Sequence, residues 1–336
     1  VVAYHAFPLQ FPGGFIGVDI FFVISGFLIT GIVQKSLQTG TFSLVEFYRR
    51  RIRRIFPALI VVLCITLALG WQLLLPDELQ DLGRGAASGA GFFANVQMWR
   101  ESGYFDLNSA RRPLLHLWSL GVEEQFYFVW PVLLFLLHRF KRRTALTVFT
   151  VIAAASLIHS ARESSIHPSY AFYLPFTRFW ELTIGGILAS MRRLAPTPAM
   201  RNISALLGLG LLSGGLFLIS DAREFPGTWA LLPVIGTALL IAAGPDAWFS
   251  RTILAKKPLV FIGLISYPLY LWHWPLLVYA RTAISPSNLQ TIGIVALAGI
   301  LSFLTWHLIE RPIRESVSSH HSSRTIFALA SAMTTI

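Results

Sequence analysis

Cysteine is nearly absent from this chain: Cys64 stands alone among 336 residues, which rules out a disulfide framework or a cysteine metal cluster within it. Set in an apolar run, Cys64 is expected to be a small buried hydrophobe. Charge is scarce as well, at 13% of residues against 54% hydrophobic, and only 16 residues are acidic against 27 basic ones. With a mean hydropathy of +0.62, this composition excludes an ordinary soluble domain. No HExxH spacing, GxSxG elbow, phosphate-binding glycine loop or dinucleotide fingerprint occurs, so soluble hydrolase and nucleotide-enzyme classes fall away and no metal site is expected. Internal repeats and paired broken helices are also lacking, which argues against a transporter built from inverted repeats.

What is present is a series of apolar runs near the ~20 residues that cross a bilayer. They lie at 17–34, 57–75, 117–137, 144–160, 172–190, 203–220, 229–244, 259–280 and 290–309. Residues 1–7 read as the outgoing end of an earlier span. The expected fold is therefore an all-α polytopic membrane protein, a bundle of about ten transmembrane helices, with the first span truncated and an eleventh beginning near Thr325. Starting without Met and ending in TIFALASAMTTI, the chain reads as a fragment at both ends. The weakly apolar segment 85–99 is left outside the spans, because including it would break the alternation of charge.

That alternation assigns the sides. The net charge of +11 sits in short clusters between apolar runs rather than along one face, so nucleic acid is not an expected partner. Loops 35–56, 138–143, 191–202, 245–258 and 310–324 hold 19 of the 27 Lys and Arg residues. By the positive-inside rule these loops are cytoplasmic.

Against this apolar background the ionisable residues are expensive, and such residues usually mark a substrate path or a catalytic site. In HLWSLGVEEQFYFVWP, His116 and Glu123 are seven apart and share a helix face, while Glu124 points about 100° away. One carboxylate is thus expected to meet His116 inside the bundle; the plainer reading is a polar network tying helices together. His5 taken alone reads first as an interfacial or hydrogen-bonded structural residue, and its functional reading is a neutral imidazole that takes a proton from a substrate hydroxyl. Asp19, at the outer end of a span, either orients His5 or caps its helix. The cluster EFYRRRIRRIFP contains Arg50, Arg51 and Arg54; part of it sets topology and contacts anionic lipid. Arg51 and Arg54, at i and i+3, also suit a phosphate-bearing ligand from the cytosol. Arg178 and Glu181 read first as an internal ion pair. His273 lies between Pro268 and Pro275, which loosen its helix and free backbone groups at membrane depth.

Five segments together resemble the acyltransferase family 3 membrane domain of bacterial O-acyltransferases: YHAFP at 4–8, GGFIGVDIFFVISGFLIT at 13–30, FYRRRIRRIFPAL at 47–59, PLLHLWSLGVEEQFYFVWP at 113–131 and SYPLYLWHWPLL at 266–277. They run in the family's order across nearly the whole chain. The resemblance implies a membrane domain over 1–310, a cytoplasmic linker over 311–324 and the start of a further helix at 325–336. IERPIR at 309–314 makes it closest to members carrying a C-terminal periplasmic SGNH domain as an additional partner. It further implies an enzyme of the bacterial inner membrane that moves an acyl group from acyl-CoA, most often acetyl-CoA, to a hydroxyl of a surface polysaccharide or other glycan. Acyl-CoA is then a co-substrate, and no permanently bound cofactor is implied. Arg51 and Arg54 match the family's Arg-x-x-Arg motif and would dock the CoA phosphates. His5 matches its histidine, whose basic partner ten residues earlier would precede Val1; with Asp19 or Glu123 orienting it, His5 would be the general base. Arg50, His116, Arg178, Glu181 and His273 are the further candidates for lining the substrate passage. Two rival readings use the same buried charges: a transporter or flippase for a lipid-linked or acylated sugar, and a structural membrane anchor.

Overall fold

The computed structural model describes residues 1–102, 111–191, 197–220, 223–315 and 319–335, the side chains of 319–325 excepted. The chain is an all-α membrane protein; no strand occurs among the described residues. In chain order the helices are α1 (Val2–Ala6), α2 (Gly17–Gln38), α3 (Leu44–Leu73), α4 (Pro76–Ala90), α5 (Ala94–Glu101), α6 (Leu117–Leu137), α7 (Arg142–Ile166) and α8 (Pro168–Tyr173). They continue as α9 (Phe179–Ser190), α10 (Pro198–Leu218), α11 (Leu231–Ala243), α12 (Lys257–Leu264), α13 (Ser266–Ile284), α14 (Asn288–Thr305), α15 (Arg311–Glu315) and α16 (Ser319–Thr335).

Among the described residues, six helices are long and apolar enough to cross a membrane, namely α2, α3, α6, α7, α10 and the α14–α15 run, and α12 with α13 makes a seventh if that bent pair is one span. Their outward faces are apolar: Phe128, Val129 and Leu136 on α6 are more than half exposed, as suits a lipid-facing surface with every backbone bond closed within the helix. Cys64 lies on such a surface. It is exposed rather than buried as expected, because with Ile65 it lies on the outward side of α3, while Val62, Leu63 and Thr66 on the same turn face the bundle.

Three expected spans differ in detail. The third begins at Leu44, with Ser43 accepting the Glu46 amide at 3.3 Å as N-cap, so the whole arginine cluster is helical. The run 172–190 is broken: α8 ends at Tyr173, a 3₁₀ turn covers Pro175–Thr177, and α9 starts at Phe179. Pro175 has no amide hydrogen to continue the helix. The freed carbonyls are taken by side chains, Thr177 Oγ1 donating to Ala171 and Leu174 at 2.8 Å and Arg178 Nε to Phe172 at 3.1 Å. The run 259–280 is bent by 67° between α12 and α13.

Segment 85–99, left outside the spans, falls on the short helices α4 and α5. Asn95 and Gln125 exchange side-chain bonds of 2.8 and 3.2 Å and tie α5 to α6. Gly121 permits this approach, since a Cβ there would lie 2.7 Å from Asn95 Oδ1.

The centre is a close crossing of α2 and α9. A Cβ at Gly26 would sit 1.8 Å from the Leu182 carbonyl oxygen, and one at Gly185 only 2.0 Å from that of Val23. Small residues here let the two backbones touch, the usual device of helix packing in lipid. Packed against this pair are α6, α7 and α11, with α10 lying on α11, while α3, α13, α14 and α16 pack together beside them.

Candidate functional site

The candidate residues of the site, Arg50 excepted, gather in three clusters. Nearest the arginine-rich end, Arg51 on α3 reaches α6, where Nη2 lies 2.5 Å from Glu124 Oε1 and 3.9 Å from Glu123 Oε1. The guanidinium also covers the Tyr127 ring, 3.9 Å from its centroid. Glu123 Oε1 accepts from the hydroxyls of Ser25 on α2 and Tyr127, the latter at 2.6 Å. Both carboxylates are therefore buried and paired, which removes most of the cost of placing them there. Although Glu123 and His116 lie on related turns, they are not bonded; the α2 and α3 donors have taken the carboxylate. Arg54, one turn along α3, is exposed and lines a cavity of about 280 Å³ together with Arg51, Ser119, Glu123, Tyr267 and Tyr270. Arg50 does not line it and instead lies 4.0 Å from Glu46 on the surface.

The second cluster is built on histidines. His5 Nδ1 and His273 Nε2 are 2.8 Å apart, with the rings nearly parallel at 7°. His273 Nδ1 is 3.1 Å from the Leu269 carbonyl oxygen one turn back. Trp274 packs on the His5 ring at 4.4 Å between centroids, and the Arg281 guanidinium donates to the His5 carbonyl. His116 is buried 5.8 Å from the His273 ring, and its own carbonyl accepts from the Tyr270 hydroxyl. Neither of its ring nitrogens makes a hydrogen bond of normal geometry; the nearby backbone is that of Leu271, whose carbonyl Pro275 cannot serve as an i+4 amide would.

His5, His116, Tyr270 and Trp274 line a second cavity of about 670 Å³, open toward the opposite end of the bundle past Phe172, Arg178 and Phe225. Its lining shares Val1, Val18 and Tyr270 with that of the first. The two cavities thus approach each other from opposite ends of the bundle and adjoin beside the histidines.

The third cluster sits in the wall of the larger cavity. Arg178 Nη1 lies 2.8 Å from Asp19 Oδ1 and 2.9 Å from Glu181 Oε1, all three side chains essentially without exposure. The rings of Phe172, Phe225 and Trp118 stand 5.1, 5.3 and 5.5 Å from the guanidinium carbon. The expected ion pair of Arg178 with Glu181 is present, extended by Asp19. Asp19 is consequently committed to Arg178, and neither it nor Glu123 touches His5; the partner of His5 is His273. Tyr270, Trp274, Ser25 and Arg281 were not foreseen at the site. Tyr270 and Trp274 carried a faint signal, flanking His273 in SYPLYLWHWPLL; the other two carried none.

Among the described residues, no group of three or more His, Cys, Asp or Glu side chains is arranged to hold a metal ion. A family model described as an acyltransferase domain matches residues 1–311. The chain belongs to acyltransferase family 3. It is 30% identical to O-acetyltransferase OatA of Staphylococcus aureus over 338 residues, covering 94% of this chain and 55% of that protein. It is 32% identical to a Bacillus subtilis protein named "Putative peptidoglycan O-acetyltransferase YrhL", over 94% of this chain and 52% of the relative. An uncharacterized protein of Haemophilus influenzae is 36% identical over 67% of this chain and 96% of its own length. The chain thus spans about half the length of the Staphylococcus and Bacillus relatives. No solved structure matches it. The two cavities meet at Val1, Val18 and Tyr270, and His5 lines the larger of them.

Proposed function

We propose that this chain forms the membrane part of an O-acyltransferase that moves an acyl group, most simply acetyl, from cytoplasmic acyl-CoA to a hydroxyl of a cell-wall or surface glycan. The observation that carries this reading is the adjoining pair of cavities, one lined by Arg51 and Arg54 and the other by His5. A donor entering from the arginine-rich end and an acceptor entering from the other meet at His5. The names of the Staphylococcus and Bacillus relatives favour acetyl as the acyl group, and the Bacillus name favours a peptidoglycan acceptor.

The positive-inside rule puts the arginine-rich end in the cytoplasm, and the host membrane is then the bacterial inner membrane. Adding the shorter apolar helices α9 and α11 to the long helices and the bent pair makes nine crossings, and the apolar stretch of α16 is a candidate for another. The CoA phosphates meet Arg54, whose guanidinium is exposed to the donor cavity. Arg51, already held by Glu124 and Glu123, shapes the wall beside it. The pantetheine arm runs along the first cavity to bring the thioester to His5. There the imidazole takes the proton of the acceptor hydroxyl as its oxygen attacks the thioester carbonyl. The C–S bond breaks, the ester forms, and the CoA thiolate takes the proton back from His5, so no net proton is consumed. Holding both substrates at one point supplies the entropic part of the acceleration.

The test uses oriented membrane vesicles given radiolabelled acetyl-CoA on the arginine-rich side and a cell-wall glycan on the other. Label in the glycan with wild type, lost in folded His5→Ala and weakened in Arg54→Ala, is the expected result. Transport of glycan without any consumption of acyl-CoA would replace this reading with the flippase one.

A further inference from the structure

We propose that His273 is the positioning residue that fixes the tautomer of His5, leaving a lone pair on Nε2 of this histidine, which lines the acceptor cavity. This rests on the reading of His5 as general base and extends it to a residue that touches neither substrate.

The argument follows the hydrogens along a chain of three groups. A backbone carbonyl can only accept, so His273 Nδ1, 3.1 Å from the Leu269 oxygen, carries the hydrogen. A neutral imidazole has a single N–H, so His273 Nε2 presents a lone pair. That lone pair lies 2.8 Å from His5 Nδ1, which must then be the donor. The hydrogen of His5 is thereby placed on Nδ1, and its Nε2 is left bare. His273 is fully buried, and no carboxylate contacts either ring among the described residues. The nearest charged contact is the Arg281 guanidinium on the His5 carbonyl. Nothing in the cluster compensates a second positive charge, which keeps the resting pair neutral.

The backbone makes the arrangement rigid. His273 and Leu269 are one turn apart on α13, so the Nδ1 bond locks the ring to its own helix. The near-coplanar alignment of the two rings at 7° and the packing of Trp274 hold the His5 ring against it. The role corresponds to that of the carboxylate behind a catalytic histidine, which selects the tautomer and orientation of the base. A neutral imidazole does this without adding negative charge, so orientation is the whole of its contribution.

The test compares wild type, His5→Ala, His273→Ala and His273→Gln in the vesicle assay with radiolabelled acetyl-CoA and cell-wall glycan. The amide oxygen of Gln at 273 can still accept from His5 Nδ1, whereas Ala offers nothing. His273→Ala should lower kcat about a hundredfold with KM for acetyl-CoA changed less than about threefold, and His273→Gln should recover about tenfold of that loss. A helix-packing role would instead move folded yield, with no rescue specific to an acceptor. Near-wild-type kcat in His273→Ala, with His5→Ala inactive, overturns the positioning role and leaves the base in place. Full activity in His5→Ala overturns both.

Independently of whether the variants fold, solid-state nitrogen NMR of the histidine-labelled wild type in bilayers reads the tautomer directly. A hydrogen on His5 Nδ1 with Nε2 bare supports the proposal, and the reverse overturns it.

Discussion

Arg51 and Glu124 face each other across 2.5 Å in the interior, joining α3 to α6, with Glu123 drawn in at 3.9 Å from the same guanidinium. An arginine flanking the proposed donor cavity is thus already bound to the protein.

Replacing Arg51 should accordingly act first on stability. Arg51→Ala leaves two buried carboxylates without their cation, a loss on the order of 3–5 kcal/mol. Thermal unfolding of the detergent-solubilised protein should show a marked drop in Tm, and Arg51→Ala/Glu124→Gln should recover part of it. An unchanged Tm in Arg51→Ala would show the pair to be incidental.

Arg54 should behave in the opposite way. It is exposed, so Arg54→Ala should leave Tm unchanged while raising KM for acetyl-CoA about tenfold, the size of one charge-assisted hydrogen bond in a partly wet site. Salt should raise the wild-type KM as well, by screening. Arg50→Ala, outside the cavity, should leave KM unaltered.

The Asp19, Arg178, Glu181 cluster offers a sharper test of buried pairing. Arg178→Ala exposes two carboxylates to an apolar wall and should cost about 3–5 kcal/mol. Arg178→Lys should rescue it poorly, because a lysine lacks the fork that reaches Asp19, Glu181 and the Phe172 carbonyl together. Folded yield in membranes, followed by size-exclusion chromatography, ranks the three proteins.

Helix crossing at Gly185 should tolerate no side chain. Gly185→Ala puts a methyl group 2.0 Å from the Val23 carbonyl oxygen, so α2 and α9 must separate and about 1–3 kcal/mol or more is lost. Gly31→Ala, on the same helix as Gly26 but with no atom within 4 Å of the added carbon, is the matched control and should be neutral or stabilising. Equal Tm values for the two would mean that the close approach is not maintained in the membrane.

Much of the candidate site was legible in the sequence because burying charge in an apolar run is rare enough to stand out on composition alone. His5, Glu123 and His273 stand out for that reason, and Arg51 for its i, i+3 spacing with Arg54 in the densest charge cluster. Their partners do not. Glu123 was matched to His116 by helical spacing, which is correct about the face but silent about Ser25 and Tyr127, whose hydroxyls reach the carboxylate first. Asp19 was offered to His5 and went to Arg178 on α9 instead. The break before α9 was hinted at by Pro175, yet hydropathy averaged over the run read it as one span.

By itself the sequence determined that the chain lives in a membrane, where its apolar helices fall, which few residues carry charge inside, and which family it resembles, because hydropathy, charge and motif order are local properties of the chain. Only the tertiary structure decided who pairs with whom and that the two cavities adjoin. His5 and His273 stand 268 positions apart in sequence. Their bond depends on α1 packing against α13, and a hydrogen bond is decided within tenths of an ångström, a precision that only the packed bundle supplies.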